Sequence, residues 1–278
     1  MAWTFFVSDS FQGIAADLSG ILQKVARHCI LLVTDALFAR FRKYIYLVTD
    51  MASQGRRALG FTIITRFPEV QGIIDCSHVT IKAPSDQPTK SINRKGFYSL
   101  NIQQVCNNNK SFIHVCAHFP GSCHDSFILH QSSLPQIFTP SPKEHALGNR
   151  GNPLKKWLLT RLWEPQIQAQ RCYKQGHLPT RTAIEQAIGL LKRRFRCMDQ
   201  WGGPVQYPPT NVSVIVVVCC TFHNMALQRD VHFEDIEGLE EDSLSEEKQE
   251  QEVREEEEME AEGDDTAQRD APAAQQGG

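Results

Sequence analysis

Three acidic residues stand where a carboxylate is either costly or well placed to act. Asp75 follows Ile73 and Ile74, β-branched residues of strand character, and precedes Cys76-Ser77-His78. An ionised carboxylate emerging from a buried strand requires a metal, an Arg or a Lys to neutralise it. Glu185 sits beside Ile184 in a helical pattern, and its one-turn neighbours Arg181 and Gly189 leave it room to point at a sheet. Asp125 closes Pro120-Gly121-Ser122-Cys123-His124-Asp125, a turn-rich stretch in which capping is an ordinary role for an acid. Taken one at a time, each of the three has a structural reading as well as a catalytic one.

Two basic blocks suit a different task. Asn93-Arg94-Lys95-Gly96 and Lys192-Arg193-Arg194 present guanidinium forks and ammonium charges that grip phosphate oxygens without reading bases; solvated surface charge is the alternative. His114, His118, His124 and His130, with Cys116 and Cys123, fit no paired zinc-ligand spacing, and His114 and His118 share one face of a predicted strand, so no zinc site is expected there.

The elements that must carry these residues are legible from periodicity. Residues 14–49 place Ile14, Leu18, Ile21, Leu22, Val25, Ile30, Leu31 and Ala36 at helical spacing. Leu18-Ser19-Gly20 could form the turn of a helix-turn-helix whose second helix, from Ile21, carries Gln23, Lys24 and Arg27; packing helices at a domain edge are the alternative. A short basic loop is expected around Gln54-Gly55-Arg56-Arg57. Strand alternation runs from Ile73 through Val79 and Ile81 to Pro84, and again over Tyr98–Cys106 and Ser111–His118, two runs joined by Asn107-Asn108-Asn109-Lys110 as a hairpin turn. A helix is predicted from Thr180, just after Pro179, to Phe195, with Ile184, Ile188, Leu191 and Phe195 on one face. The apolar run Val212–Phe222 falls far short of the ~20 residues of a membrane span and reads as a buried core element. Together these imply an α/β or α+β layer fold.

Composition divides the chain near Asp230. From Val231 onward there are 19 Asp or Glu against Lys248, Arg254 and Arg269; the first 230 residues therefore hold 26 of the 29 Lys and Arg but 13 of the 32 acids, a net +13. A body of that charge attracts polyanions, with DNA or RNA the usual partner and a merely basic protein the alternative. The acidic segment, with few aromatics, cannot bury enough apolar surface to order itself. Its opposite charge suggests that it competes with DNA for the basic body; deleting residues 231–278 should then tighten DNA binding at low salt, and an unchanged affinity would reject the idea. The nine cysteines, odd in number and without a C-x-x-C pair, read as reduced thiols in a nuclear or cytosolic setting, and no basic start with an apolar core opens the chain to suggest secretion.

Several blocks in one order resemble the Harbinger transposase-derived nuclease family, of the PIF/Harbinger DDE superfamily: Gly72-Ile73-Ile74-Asp75-Cys76-Ser77-His78-Val79, Asn93-Arg94-Lys95-Gly96, Pro120-Gly121-Ser122 through Asp125, Leu147-Gly148-Asn149-Arg150-Gly151, Pro153-Leu154-Lys155-Lys156-Trp157-Leu158-Leu159, Ile184-Glu185, Gly189-Leu190-Leu191-Lys192, Arg194-Phe195-Arg196-Cys197 and His223-Asn224. The resemblance covers most of residues 1–225. It implies a ribonuclease H-like DDE catalytic domain over residues 68–226, preceded by helices (1–60) resembling a partial helix-turn-helix and followed by a disordered acidic tail (230–278). It also implies a divalent metal cation, normally magnesium (Mg2+) with manganese (Mn2+) the alternative, held by Asp75, Asp125 and Glu185, which would then be catalytic. The fourth metal position, an Asp in the family's Leu-Gly-Asp block, is Asn149 here. DNA, a Myb/SANT-type protein partner and the nucleus, with the cytoplasm a second location, follow from the same resemblance.

The chain departs from that pattern at its centre. Two metals about 3.5 to 4 Å apart need anionic ligands to activate a water and stabilise a leaving oxygen. Asn149 offers only a neutral carbonyl oxygen, a poor fourth ligand that can still bind a hard cation weakly, so DNA binding without efficient cleavage is expected. Asn152 replaces a residue that is usually aromatic in the same block. At the front, Ser10-Phe11-Gln12, Asp17 and Gly20-Ile21 resemble the family's helix-turn-helix, but Leu22 stands where a small polar cap is expected.

Overall fold

The alternation that begins near Ile73 becomes β1 (Val70–Thr80), the middle strand of a five-stranded sheet in the order β3-β2-β1-β4-β5. In the computed structural model the described residues are 5–6, 20, 22–48, 50–65, 68–138, 145–149, 151–162, 166–199 and 203–229. The chain divides into two compact units, Met1–Val231 and His232–Gly278, and every described residue belongs to the first. The expectations for Ser10-Phe11-Gln12, Asp17, Leu18-Ser19, Arg150 and the acidic tail lie outside the described residues.

β1 pairs antiparallel with β2 (Ser99–Cys106), which pairs antiparallel with β3 (Phe112–Pro120). On its other edge β1 runs parallel to β4 (His145–Gly148), which runs parallel to β5 (Leu158–Thr160). The hairpin between β2 and β3 is held by Asn107, whose Oδ1 accepts from the amides of Asn109 and Ser111 at 2.9 and 3.0 Å. The left-handed residue of that turn is Lys110 (φ 61°), so Asn107 shapes the loop by bonding its backbone rather than by adopting the strained conformation itself.

Helices cover both faces of the sheet, which explains why Ile73 and Ile74 are both fully buried: period-two alternation sends them into different clusters. Ile73, Val79 and Ile102 join Ile30 of α1 (Gln23–Phe38), Phe61 of α2 (Met51–Thr65), Ile184 and Leu191 of α5 (Gln168–Arg194), and Ile215 and Val216 of α6 (Pro209–Gln228). Ile74, Val105 and Ile113 pack instead with Leu129 of α3 (Asp125–Gln131), Leu134 and Phe138 of α4 (Leu134–Phe138), and Trp157, whose ring stacks on Phe138 at 5.5 Å.

Three boundaries differ from the sequence expectations. The basic loop at Gln54–Arg57 is part of α2: Asp50 Oδ1 accepts from Ser53 N at 3.0 Å to start the helix, and Arg57 turns back to Val48 O (2.6 Å) and Gln71 Oε1 (3.1 Å). The predicted helix at Thr180 begins twelve residues earlier, at Gln168, and runs through Pro179 for 27 residues. Gln170 Oε1 satisfies the amides of Gln166 and Ile167 (2.6 and 3.3 Å), and Tyr173 donates to Thr160 O at 2.7 Å, so the true start is set by capping and by docking on β5 rather than by the proline. Third, α6 is longer than the apolar run Val212–Phe222 and by length and composition alone could cross a membrane, yet Val212, Ile215, Val216, Cys219 and Cys220 are core residues. Its Asn224 donates to Phe112 O (2.7 Å) and Tyr44 O (2.8 Å) and accepts from Phe112 N (2.9 Å), locking α6 to the start of β3.

The helix expected from Ile21 starts at Gln23 after Gly20 (φ 64°), and its N-cap Leu22 makes no side-chain capping bond and is 77 % exposed, in keeping with the missing polar cap. Arg27 lies 5.4 Å over the buried ring of Tyr207, so this guanidinium is engaged by the protein body.

Candidate active site

Sheet register brings the first two site residues together. Ile74 of β1 is the parallel partner of Gly148 of β4, so Asp75 and Asn149 follow side by side as the two strands part. Asp125 arrives from the other side: β3 ends at Pro120, the chain turns over Gly121 to His124, and Asp125 opens α3. Gly121 N donates to Ser99 O at 2.8 Å, and a Cβ at Gly121 would collide with Ser91 and Ser99, so only glycine permits this close return.

Asn149 joins the two acids. Its Nδ2 donates to Asp75 Oδ1 at 2.9 Å and to Asp125 Oδ2 at 3.0 Å. Its Oδ1 accepts from Asn152 Nδ2 at 2.7 Å. The remaining carboxylate oxygen of Asp125 accepts from Asn101 Nδ2 at 3.1 Å, and Asn101 also donates to Cys123 O at 2.9 Å. Asp75 Oδ1 additionally accepts from the amide of Cys76 at 2.9 Å. Gly151 lies against this cluster: a Cβ there would stand 3.1 Å from Asp125 Oδ2.

Glu185 is not part of it. Rather than lying near a helix start, it is the eighteenth residue of α5, and its Oε1 pairs with Arg181 Nε at 3.0 Å one turn earlier. Among the described residues no group of three or more His, Cys, Asp or Glu side chains could hold a metal ion. A divalent cation demands free anionic oxygens converging on one point. Here that point is taken by an N–H donor, Asn149 Oδ1 is turned away to Asn152, and the third acid is paired elsewhere. The arrangement as it stands therefore does not fit the metal.

The surroundings are electrically mixed. Burial, then the Asp125 and Asp75 carboxylates, hold the Cys76 thiol well above its ordinary value, so it stays an S–H hydrogen-bonded to Asp125. Burial pushes His78 down despite the pull of Asp125, and the charges of Lys192, Lys95 and Arg94 push it the same way. Those three cations, from blocks nearly a hundred residues apart in sequence, thus all act on one histidine. Arg94 and Lys95 are exposed, with an Arg94 guanidinium nitrogen 2.9 Å from His124 Nδ1; Lys192 is half-buried and donates to His78 O at 3.3 Å; Arg193 is exposed. Arg194 is corrected from a phosphate contact to a core residue: it is 7 % exposed and donates to His223 O at 3.4 Å. The histidines of β3 take local partners, with His114 Nε2 against Ser133 Oγ (3.1 Å) and His118 Nδ1 against Cys116 Sγ (3.5 Å).

The sequence model of the DDE superfamily endonuclease matches residues 74–224, more than half of the chain, from one residue before Asp75 to Asn224. The chain belongs to that family. Within it, the chain is 36 % identical over 226 residues to "Putative nuclease HARBI1" of Homo sapiens and 38 % identical over 226 residues to its Rattus norvegicus counterpart, in each case 81 % of this chain and 65 % of the relative. Against "Protein ALP1-like" of Arabidopsis thaliana it is 27 % identical over 189 residues, 61 % of this chain and 46 % of that protein. The chain thus spans somewhat under two thirds of the length of the mammalian relatives and under half of the Arabidopsis one. No solved structure matches it. The resemblance to Harbinger transposase-derived nucleases drawn from the sequence blocks is therefore shown by the relatives themselves.

Two residues of this DDE-family site were not identified from sequence. Asn101 carried a signal: Ser99, Asn101, Gln103 and Gln104 are four polar residues on one strand, all buried because β2 lies between two others. Asn152 was visible only as a departure from the family pattern, and its partner emerges only from the turn in which its amide donates to Asn149 O at 3.2 Å.

Proposed function

We propose that this chain is a transposase-derived, DNA-binding member of the DDE endonuclease family whose phosphodiester-cleaving centre is weakened by Asn149. The observation that carries the reading is the double donation from Asn149 Nδ2 to Asp75 and Asp125. Endonucleases of the superfamily generally use divalent metals. An aspartate at position 149 would add a third anion beside two others and so require a cation; an asparagine instead supplies the two N–H groups that the carboxylates need. Cleavage would lose its activated nucleophile while the positive body remains.

The ribonuclease H-like reading of the fold is supported by the strand order β3-β2-β1-β4-β5, with β2 antiparallel to β1 and parallel strands beyond it. DNA as the substrate is supported by the +13 of residues 1–230 and by Arg94, Lys95 and Lys192, whose charges all act on His78, a strand neighbour of Asp75. Phosphate contacts by these side chains would position a duplex without reading its sequence.

A second reading, a catalytically inactive scaffold working with a Myb/SANT-type partner in the nucleus, is favoured by apolar side chains left exposed on α1 and α2, among them Leu32 (56 %), Leu59 (62 %) and Ile63 (74 %). Nicking of supercoiled plasmid in Mg2+ or Mn2+ separates the readings. The weakened-nuclease reading expects Asn149→Asp to cut and Asn149→Asp/Glu185→Ala to lose that gain, with both binding DNA in a salt-sensitive way. If Asn149→Asp binds DNA but never cuts, the scaffold reading replaces it.

A further inference from the structure

Shape alone does not decide which end of the Asn149 side chain faces the acids, because the two ends of an amide are nearly isosteric. Hydrogen bonding decides it. With Nδ2 inward, Asn149 gives one N–H to each carboxylate. With Oδ1 inward, a carbonyl oxygen would meet two carboxylate oxygens at about the same separations with no proton between them, an arrangement tolerable only around a cation.

Asn152 holds the first orientation. It is 4 % exposed, its Nδ2 donates to Asn149 Oδ1 at 2.7 Å, and its own Oδ1 is buried without a hydrogen-bond partner among the described residues. As Asn152 is oriented, its one side-chain bond needs an acceptor, not a donor, on the outer end of Asn149. Turning Asn149 around would set two NH2 groups against each other unless Asn152 turned as well. The tight return that delivers Asn152 depends on Gly151, where a Cβ would press on both Asp125 Oδ2 (3.1 Å) and Asn149 Oδ1 (3.4 Å).

We infer that Asn149 and Asn152 form a two-amide latch that takes the place of a divalent cation between Asp75 and Asp125, with Asn152 acting as a positioning residue that keeps a donor aimed at the acids and so closes the site to metal. The two departures from the family pattern in this block are then one change: an asparagine at 149 becomes a cation substitute because an asparagine at 152 fixes its direction. This deepens the proposed function and rests on its reading of Asp75, Asp125 and position 149 as the metal positions.

The test is binding of Mn2+ alone, without DNA, to the full chain, followed by electron paramagnetic resonance and by thermal shift in EDTA and in excess Mn2+. The native chain should keep the same melting temperature in both. Asn149→Asp should melt lower in EDTA and recover in Mn2+. Asn152→Leu, close in volume and unable to donate, leaves Asn149 in place but free to turn, and should bind Mn2+ at least about tenfold more tightly than the native chain. Equal affinities for Asn152→Leu and the native chain, with Asn149→Asp binding well, overturn the latch while leaving the proposed function standing. If Asn149→Asp binds no Mn2+ either, the metal positions themselves are wrong and both fall. Should Asn152→Leu fail to fold, the side-chain amide signal of Asn149 in 15N-labelled native protein, identified by its loss in Asn149→Asp, decides instead. A slowly exchanging signal unmoved by Mg2+ supports the latch, and one that shifts on adding Mg2+ overturns it.

Discussion

Asn101 Nδ2, on the second strand of the sheet, donates to Asp125 Oδ1 at 3.1 Å, so the acid at the start of α3 is aimed by a residue 24 positions earlier in the chain. The same NH2 group holds Cys123 O at 2.9 Å, and Asn101 is 2 % exposed. Asn101→Leu should therefore leave a buried carbonyl unpaired and release Asp125, lowering stability by roughly 2 to 4 kcal/mol in urea unfolding. A loss below about 0.5 kcal/mol would mean that the turn into α3 is held by something else.

Glu185 answers a different question, whether the third acid can be recruited. Its pair with Arg181 is a partly exposed i, i+4 contact, a class worth at most about 1 kcal/mol. Arg181→Ala should cost no more than that in thermal unfolding and, placed in the Asn149→Asp background, should raise Mn2+ affinity by freeing Glu185. Unchanged affinity in that double variant would show that Glu185 does not reach the site.

The basic residues divide by burial. Arg94→Ala and Lys95→Ala should each weaken DNA binding and reduce the slope of log affinity against log salt by about 1, as loss of one phosphate contact does. Arg194→Ala should leave that slope unchanged and lower stability instead, because its guanidinium bonds to His223 O inside the fold. Fluorescence anisotropy at several salt concentrations distinguishes the two classes, and an Arg194→Ala slope that fell like the others would reverse this assignment.

How much of this was legible beforehand follows from what sets each feature. The three strands and the core face of α5 were read correctly because Ile73, Val79, Leu100, Ile184 and Leu191 follow the period of the element that buries them. Helix starts were not: Pro179 looked like a boundary, while the actual one is fixed by Gln170 reaching back and Tyr173 docking on β5, contacts that no local pattern announces. Asp75, Asp125 and Asn149 were named as site positions by family resemblance, and the fold brings those three together. Glu185 was named with them, but an arginine one turn away claims it. The amide partners Asn101 and Asn152 could not be assigned without knowing which strand is central and how the turn after β4 closes.

Stability should also depend on pH through α6. His223 is fully buried, with Nε2 bonded to Lys110 O at 3.0 Å, and burial pushes it down to about 4, with the Arg194 charge adding to the effect. The folded value lies below the unfolded one, so the unfolded chain takes up the proton first: stability is intact above about pH 6.5 and is lost as pH falls toward 4. The melting temperature should drop across that window, and His223→Gln, which cannot take up the proton, should show a flatter profile. A profile as steep as that of the native chain would place the effect on other groups.

The most direct measurement of the central claim is the rate of Mg2+- or Mn2+-dependent nicking of supercoiled plasmid by Asn149→Asp beside the native chain, at equal DNA occupancy. Restoring an anion to the position now filled by the Asn149 amide should raise that rate by about 100-fold or more, with the native chain binding DNA but leaving it intact. Native protein that nicks DNA as fast as Asn149→Asp would contradict the account.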